Sequence, residues 1–538
     1  MALPLLYGEI PLEAISGLLI IPLQASILPA IPAGDKHIKV LLIKQHFNLS
    51  VLVMINYQTQ IFTIMQNKYR SLFFLVNCIV WSFSCTPQNQ LFITDDKDPI
   101  AFPGAEGYGK YTTGGRGGKI FIVSNLKDEG PGSFREAAEA EGKRIIVFAI
   151  SGTIHLEVNL SIRGNVTIAG QTAPGEGICL ADNSVSLGGD NIIIRYLRFR
   201  MGDKYQSQAG MVNGSGSDDA FGGFRRKNII IDHCSMSWST DEVFSIYAGD
   251  STTLQWNLIS EPLNYSYHFE TGDKDYEKHG YGGIWGGLHL TAHHNLFAHC
   301  NNRTPRFNGV RHTPTEFVDY RNNVIYNWGG NNIYAGEGGD YNIINNYYKY
   351  GPNTSKSVRY RIVNPGKNET IGFGKWYVNG NYVDEANDVS KNNWLGIHIG
   401  NGGTEQDKKN TVIDKPHDAW PVPTQTAEEA YQSVLRSVGA SYKRDTLDER
   451  IINDVKNRTG KFIDVQGGLP HGTAYELTTK AWPALASLPS LADKDKDGIP
   501  DDWEVKYGLN PSDASDAVKI SSHKFYSNIE LYVNSILK

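Results

Sequence analysis

Six stretches of this chain share one form, and that repetition limits what it can fold into more than any other feature. They are Asn191-Ile-Ile-Ile-Arg-Tyr-Leu-Arg-Phe199, Asn228-Ile-Ile-Ile-Asp-His-Cys-Ser-Met236, Thr253-Leu-Gln-Trp-Asn-Leu-Ile259, Leu290-Thr-Ala-His-His-Asn-Leu-Phe297, Val318-Asp-Tyr-Arg-Asn-Asn-Val-Ile-Tyr326 and Tyr341-Asn-Ile-Ile-Asn-Asn-Tyr-Tyr348. Each reads as two short strands around a polar corner. Their starts recur every 23 to 37 residues, the period signature of stacked coils. Asn257, Asn295, Asn323 and Asn346 recur at the bend. Asn tolerates the left-handed backbone that a corner needs, and stacked amides can hydrogen-bond from coil to coil. The expected fold is all-β, a right-handed parallel β-helix. A sandwich or propeller would need closely spaced antiparallel hairpins with Asn-Gly or Asp-Gly turns, which are scarce here.

The flanks differ in texture. Ser133, with Glu136 three residues on, reads as a capping box for a short helix, placed to cover the open end of the coils. After Pro423, the segments from Thr426 and from Asp445 carry apolar residues at helical spacing and are expected to pack on the outside or end of the solenoid. The tail Asp493-Lys-Asp495-Lys-Asp497-Gly498-Ile499-Pro-Asp501-Asp-Trp-Glu504 matches an EF-hand calcium loop at its first, third, fifth, sixth, ninth and twelfth positions. Ile499 would offer its carbonyl at the seventh. This calcium is expected to be structural.

At the other end, residues 1–64 are apolar and aperiodic. Lys68 and Arg70, the apolar run Leu72–Phe83 and then Ser84-Cys85 read as a signal peptide. Its end resembles a bacterial lipoprotein cleavage site, which implies acylation of Cys85. The expected organisation is a non-native extension over 1–64, signal peptide 65–85, linker 86–100, β-helix 101–422, helical segment 423–490 and calcium-loop tail 491–538. The protein is expected to be exported, either secreted or held by lipid at an outer membrane, and to act as a monomer.

Composition excludes some partners. The net charge of -6 over 538 residues carries no basic excess for nucleic acid, so a polyanionic substrate would have to meet a local basic cleft. Of five cysteines, an odd number without a CxxC pair, Cys179, Cys234 and Cys300 are expected to be buried free thiols. His289, His293, His294 and His299 with Cys300 fit no zinc spacing.

The densest unusual stretch is His293-His-Asn-Leu-Phe-Ala-His-Cys-Asn-Asn-Arg303-Thr-Pro-Arg306. With Asp232-His233, Asp218-Asp219, Thr240-Asp241-Glu242 and the opening Ala101-Phe-Pro-Gly-Ala-Glu-Gly-Tyr-Gly109, it resembles the pectate lyase superfamily in three motifs in order. The resemblance covers about residues 101 to 350. It implies calcium-assisted β-elimination of 4-linked galacturonan (pectate or pectin), giving products with a 4,5-unsaturated end. It also implies calcium on Asp219 and Asp241, and Arg303 as the base. The family's third acidic position falls on Ser245, so Glu242 is the expected substitute. Its second arginine falls on Asn308, which leaves Arg306 or Lys278 to bind the substrate carboxylate and His279 or Lys278 as reserve bases. A glycoside hydrolase on the same scaffold would need paired carboxylates instead. A non-catalytic glycan-binding lipoprotein would use Trp285, Trp328 and Tyr334 as exposed stacking platforms.

Overall fold

The computed structural model describes residues 99–206, 218–270 and 273–537; the expected signal peptide, Cys85 and the segment 1–64 lie outside them. The chain winds as a right-handed parallel β-helix with three faces. Sheet 1 runs from Lys119–Val123 through Arg144–Phe148, Ile192–Arg195, Lys227–Asp232 and Leu290–His293 to Lys375–Asn379. Sheet 2 has nine strands, from Gly152–His155 to Tyr382–Val383. Sheet 3 includes Val185–Leu187, Phe221–Phe224, Ile284–Gly287, Arg306–Phe307 and Ile333–Ala335. All the named strand pairings are parallel, for example Ile229–Asp232 on Ile192–Arg195 and Ser235–Ser237 on Arg198–Arg200. One long strand, Phe244–Gln255, passes from sheet 3 into sheet 1, and its pairing shifts register between Ile246 and Gly249.

The corners correct one expectation. The left-handed residue is not the ladder asparagine but the residue before it: Trp256, His294, Asn322 and Asn345 have φ of 58°, 56°, 55° and 52°. Turning the chain there points the next side chain inward, where it ties the coils together. Oδ1 of Asn295 accepts from the backbone N–H of Asn257 at 2.9 Å and from its amide at 3.0 Å. Asn295 makes the same pair of bonds to Asn323, and the ladder continues to Asn346, Asn381 and Asn393. Every rung is buried, so each bond satisfies groups that water cannot reach.

Inside the coils, Phe199, Phe221 and Phe244 stack at 4.1 and 5.3 Å between centroids, and Trp285 meets Phe244 edge to face at 5.8 Å. Trp285 and Trp328 are fully buried, which removes two of the three expected stacking platforms: their rings fill the core between sheets. Cys179, Cys234 and Cys300 are buried free thiols.

The helix Phe134–Ala138 covers the first coil, with Phe134 stacked on Phe148 and Arg144 donating to the carbonyls of Ala137 and Ala138. The Ser133 hydroxyl caps it, but Glu136 reaches Gly132 rather than closing the box on Ser133. Helices Ala427–Ser437 and Thr446–Asn457 bury Val434, Leu435, Ile451, Ile452 and Val455 against Leu258, Leu296, Val324 and Tyr326 of sheet 2. The tail lies on sheet 1, where Ile499, Ile529 and Val533 pack on Ile145 and Val147. No helix among the described residues is long and apolar enough to cross a membrane.

Candidate active site

The bend that leads into sheet 3 carries the chemistry, coil after coil. Asp219 precedes the strand Phe221–Phe224, and Asp241 and Glu242 precede Phe244–Gln255. Glu242, Tyr281 and Asn302 then pair in parallel as one column. Backbone bonds hold it: Ala220 N–H donates to Glu242, Val243 to Tyr281 and Gly282 to Asn302, at 3.0, 3.0 and 2.9 Å. Residues at equal positions in stacked coils are ~4.8 Å apart, so distant sequence positions converge on one column.

Asp219, Asp241 and Glu242 each bring a carboxylate oxygen within 4.8 Å of the others. Asp219 also accepts from the Glu242 backbone N–H at 3.0 Å. Burial holds the Asp219 carboxyl well above its ordinary range, and the Asp241 charge adds to this; Ser245 and Arg303 oppose it. Burial also raises Asp241, but its contact with His279 and the charges of His279, His268 and Arg303 bring it below the ordinary value. Carboxylates crowded this way are the donor set of a hard divalent cation. The Ser245 hydroxyl, which works against the rise at Asp219, accepts from the Ile284 N–H at 3.1 Å.

Arg303 sits two steps down the column in a left-handed conformation (φ 54°). Its side chain folds back over the Tyr281 ring, 4.6 Å from the centroid, and pairs with Glu242. About a quarter of it reaches solvent. Arg306 is turned away: its Nη1 donates to the Phe307 carbonyl at 2.9 Å and its Nη2 lies 3.6 Å from Glu337. Burial, with Arg311 beside it, lowers its pKa from the ordinary guanidinium value. Lys278 is exposed on the segment bridged to Tyr265. His279 is buried between His268 and Tyr281 and places Nε2 at 2.7 Å from Asp241. Its contact is with Asp241, and it is closed off from solvent. Tyr334 is partly exposed beside Arg306.

The tail loop gathers its acids differently from the motif. Asp493, Asp495 and Asp497 form one trio; Asp497, Glu504 and Asp516 form another. Both oxygens of Asp495 and of Glu504, Oδ2 of Asp497 and Oδ1 of Asp516 are buried with no hydrogen-bond partner among the described residues, which suits a hard cation better than empty space. Burial, then the neighbouring acids, pushes Glu504 up to about 8; burial and the surrounding carboxylates lift Asp497 to about 7. Asp501 is in neither trio and accepts from the Lys494 N–H, while Ile499 is buried with its N–H on Asp497. An exit helix, Asp501–Tyr507, follows the loop, but no entry helix precedes it.

Three residues of these sites went unread in the sequence. Tyr281 could have been found by aligning coils, since it falls between Glu242 and Asn302. His268 lies in an irregular insertion before Lys278, and Asp516 lies beyond the loop motif; only the fold brings either to its cluster.

No family model matches the chain. Curated relatives do. "Probable pectate lyase C" of Emericella nidulans is 35% identical over 449 residues, covering 81% of this chain and 93% of that protein. The Aspergillus terreus protein of the same name is 36% identical over 451 residues, covering 81% and 94%. Among solved structures, the cedar pollen allergen jun a 1 aligns with 64% of this chain and 99% of its own at 17% identity and a TM-score of 0.43. At that identity and over that length of both chains, the sequence relatives decide the matter: this chain belongs to the pectate lyase family.

Proposed function

We propose that the chain cleaves 4-linked galacturonan by calcium-assisted β-elimination in the groove along the Asp219–Arg303 column. The observation that carries this is the approach of Arg303 to the carboxylate cluster of Asp219, Asp241 and Glu242. Calcium on those carboxylates would bind the substrate's own carboxylate and stabilise the charge that develops when the neighbouring carbon is deprotonated.

Arg303 would take the proton from C5. The electron pair left behind forms the C4–C5 double bond, the C4–O bond breaks, and the departing oxygen is protonated from water. A guanidinium is ordinarily too weak an acid to serve. Here Arg303 is paired with Glu242, and calcium on Glu242 would remove that counter-charge. Tyr281 supports the side chain from below, and exposed Lys278 is the cation available to a substrate carboxylate at the rim. Arg306, paired with Glu337, positions rather than binds.

The tail loop would hold a second calcium through Asp493, Asp495, Asp497, Glu504 and Asp516, a structural clamp on sheet 1. Export, with lipid on Cys85, follows from the N-terminal sequence reading.

Substrate charge tests the catalytic proposal. Unesterified polygalacturonate should be cleaved and highly methylated pectin cleaved far more slowly; activity on methylated pectin that survives a chelator would overturn the calcium cluster.

A further inference from the structure

Behind Asp241 lies a second cluster of a different chemical kind. His268 and His279 are 3% and 4% exposed, and their rings stack with centroids 3.6 Å apart. Asp241, His268 and His279 each present one ligand-type atom, all within 4.8 Å of one another. The flanking contacts are carboxylates: Asp241 Oδ1 lies 2.7 Å from His279 Nε2, and Glu277 Oε1 lies 3.2 Å from His268 Nε2 and 3.7 Å from His279 Nδ1. Yet none of the four ring nitrogens makes a directed hydrogen bond among the described residues.

Buried imidazoles normally have a partner for each nitrogen, and that partner fixes the tautomer. Two unsatisfied rings facing two carboxylates are unusual as a structural device. They match the donor set of a borderline divalent metal, which takes imidazole nitrogen and carboxylate oxygen together. Calcium, which prefers oxygen throughout, suits the neighbouring Asp219 side of Asp241 instead. We propose that His268, His279 and Asp241, with Glu277 alongside, form a site for a zinc-like divalent transition metal, adjacent to the calcium cluster and sharing Asp241 with it.

The test uses the full chain without a histidine tag, stripped of metal and kept in excess calcium, titrated with Co2+ while the visible ligand-field absorption is followed. The expected result is one equivalent bound, with affinity at least about tenfold weaker in His268→Gln and in His279→Gln, and unchanged in His289→Gln, whose exposed ring pairs with Asp250 elsewhere. Equal cobalt binding by wild type and both variants, or no absorption at one equivalent, would overturn the site. X-ray absorption at the zinc edge on the wild-type chain does not depend on the variants folding: scattering from two imidazoles is expected, and an all-oxygen shell contradicts the proposal.

Discussion

Arg303 pairs with Glu242 across two coils, its side chain lying over the ring of Tyr281. The contact sets a guanidinium and a divalent cation in competition for one carboxylate. Arg303→Ala should therefore have two opposite effects. Turnover should fall by about 10²- to 10⁴-fold, the usual range for losing a positioned acid–base group, while calcium binds at least as tightly. Initial rates and calorimetric calcium titration read the two separately; a variant that keeps turnover and loses calcium contradicts the assignment.

Asp219 contributes one of the three carboxylates of the cluster, and burial, with the Asp241 charge beside it, shifts its carboxyl upward from the ordinary range. Asp219→Asn keeps the shape and removes the charge a cation would bind. Half-maximal activity should then need roughly tenfold more calcium, a change of about 1.4 kcal/mol, with part of the rate recovered at high calcium. An unchanged calcium dependence would take Asp219 out of the site.

The pH dependence of stability has a source away from the metals. Glu316 is buried, accepts from the Gly309 N–H and the Tyr341 hydroxyl at 2.6 and 2.7 Å, and burial raises its pKa from 4.5 to about 8. Between those values the folded chain keeps a proton that the unfolded chain has released. This contribution is complete below about pH 4.5 and is lost as pH rises through about 8. Glu316→Gln, which cannot ionise, should flatten the decline in denaturation midpoint across that window; an equal slope in both proteins would show that Glu316 is not its cause.

The asparagine ladder should be costly to break. Asn295 carries side-chain bonds to Asn257, Leu254 and Asn323 at 2.8 to 3.0 Å, and Asn295→Ala strands buried partners on both neighbouring coils. A loss on the order of 3 kcal/mol in urea unfolding is expected. A loss no larger than that for an exposed asparagine such as Asn410 would mean the coils are held by packing alone.

Asp516 closes the tail loop from outside the motif. In calcium, Asp516→Ala should melt several degrees below wild type, and in EDTA the difference should largely vanish, because both proteins then lack the clamp. A difference of the same size in EDTA would assign Asp516 a role unrelated to metal.

The strands were legible because two-residue alternation and coil period are local signals: Asn191–Phe199 and Asn228–Met236 fold as read. What the period could not reveal was which residue of each corner turns left-handed; His294 and Asn322 do so, while Asn295 and Asn323 spend their amides on the next coil. Trp285 and Trp328 read as platforms for sugar because alternation alone does not say which face is inside. Arg303, Asp219 and Asp241 were reached through motif resemblance, but the inward turn of Arg306 depends on Glu337, a residue on a later coil. His268 and Asp516 join their clusters only through tertiary contact.

The most direct measurement of the central claim is the ultraviolet absorbance of the conjugated unsaturated uronate during incubation with polygalacturonate, with calcium, with EDTA and after calcium is restored. The account predicts a rise in calcium that EDTA abolishes and added calcium recovers. New reducing ends without that absorbance would mean hydrolysis, and would contradict elimination at Arg303.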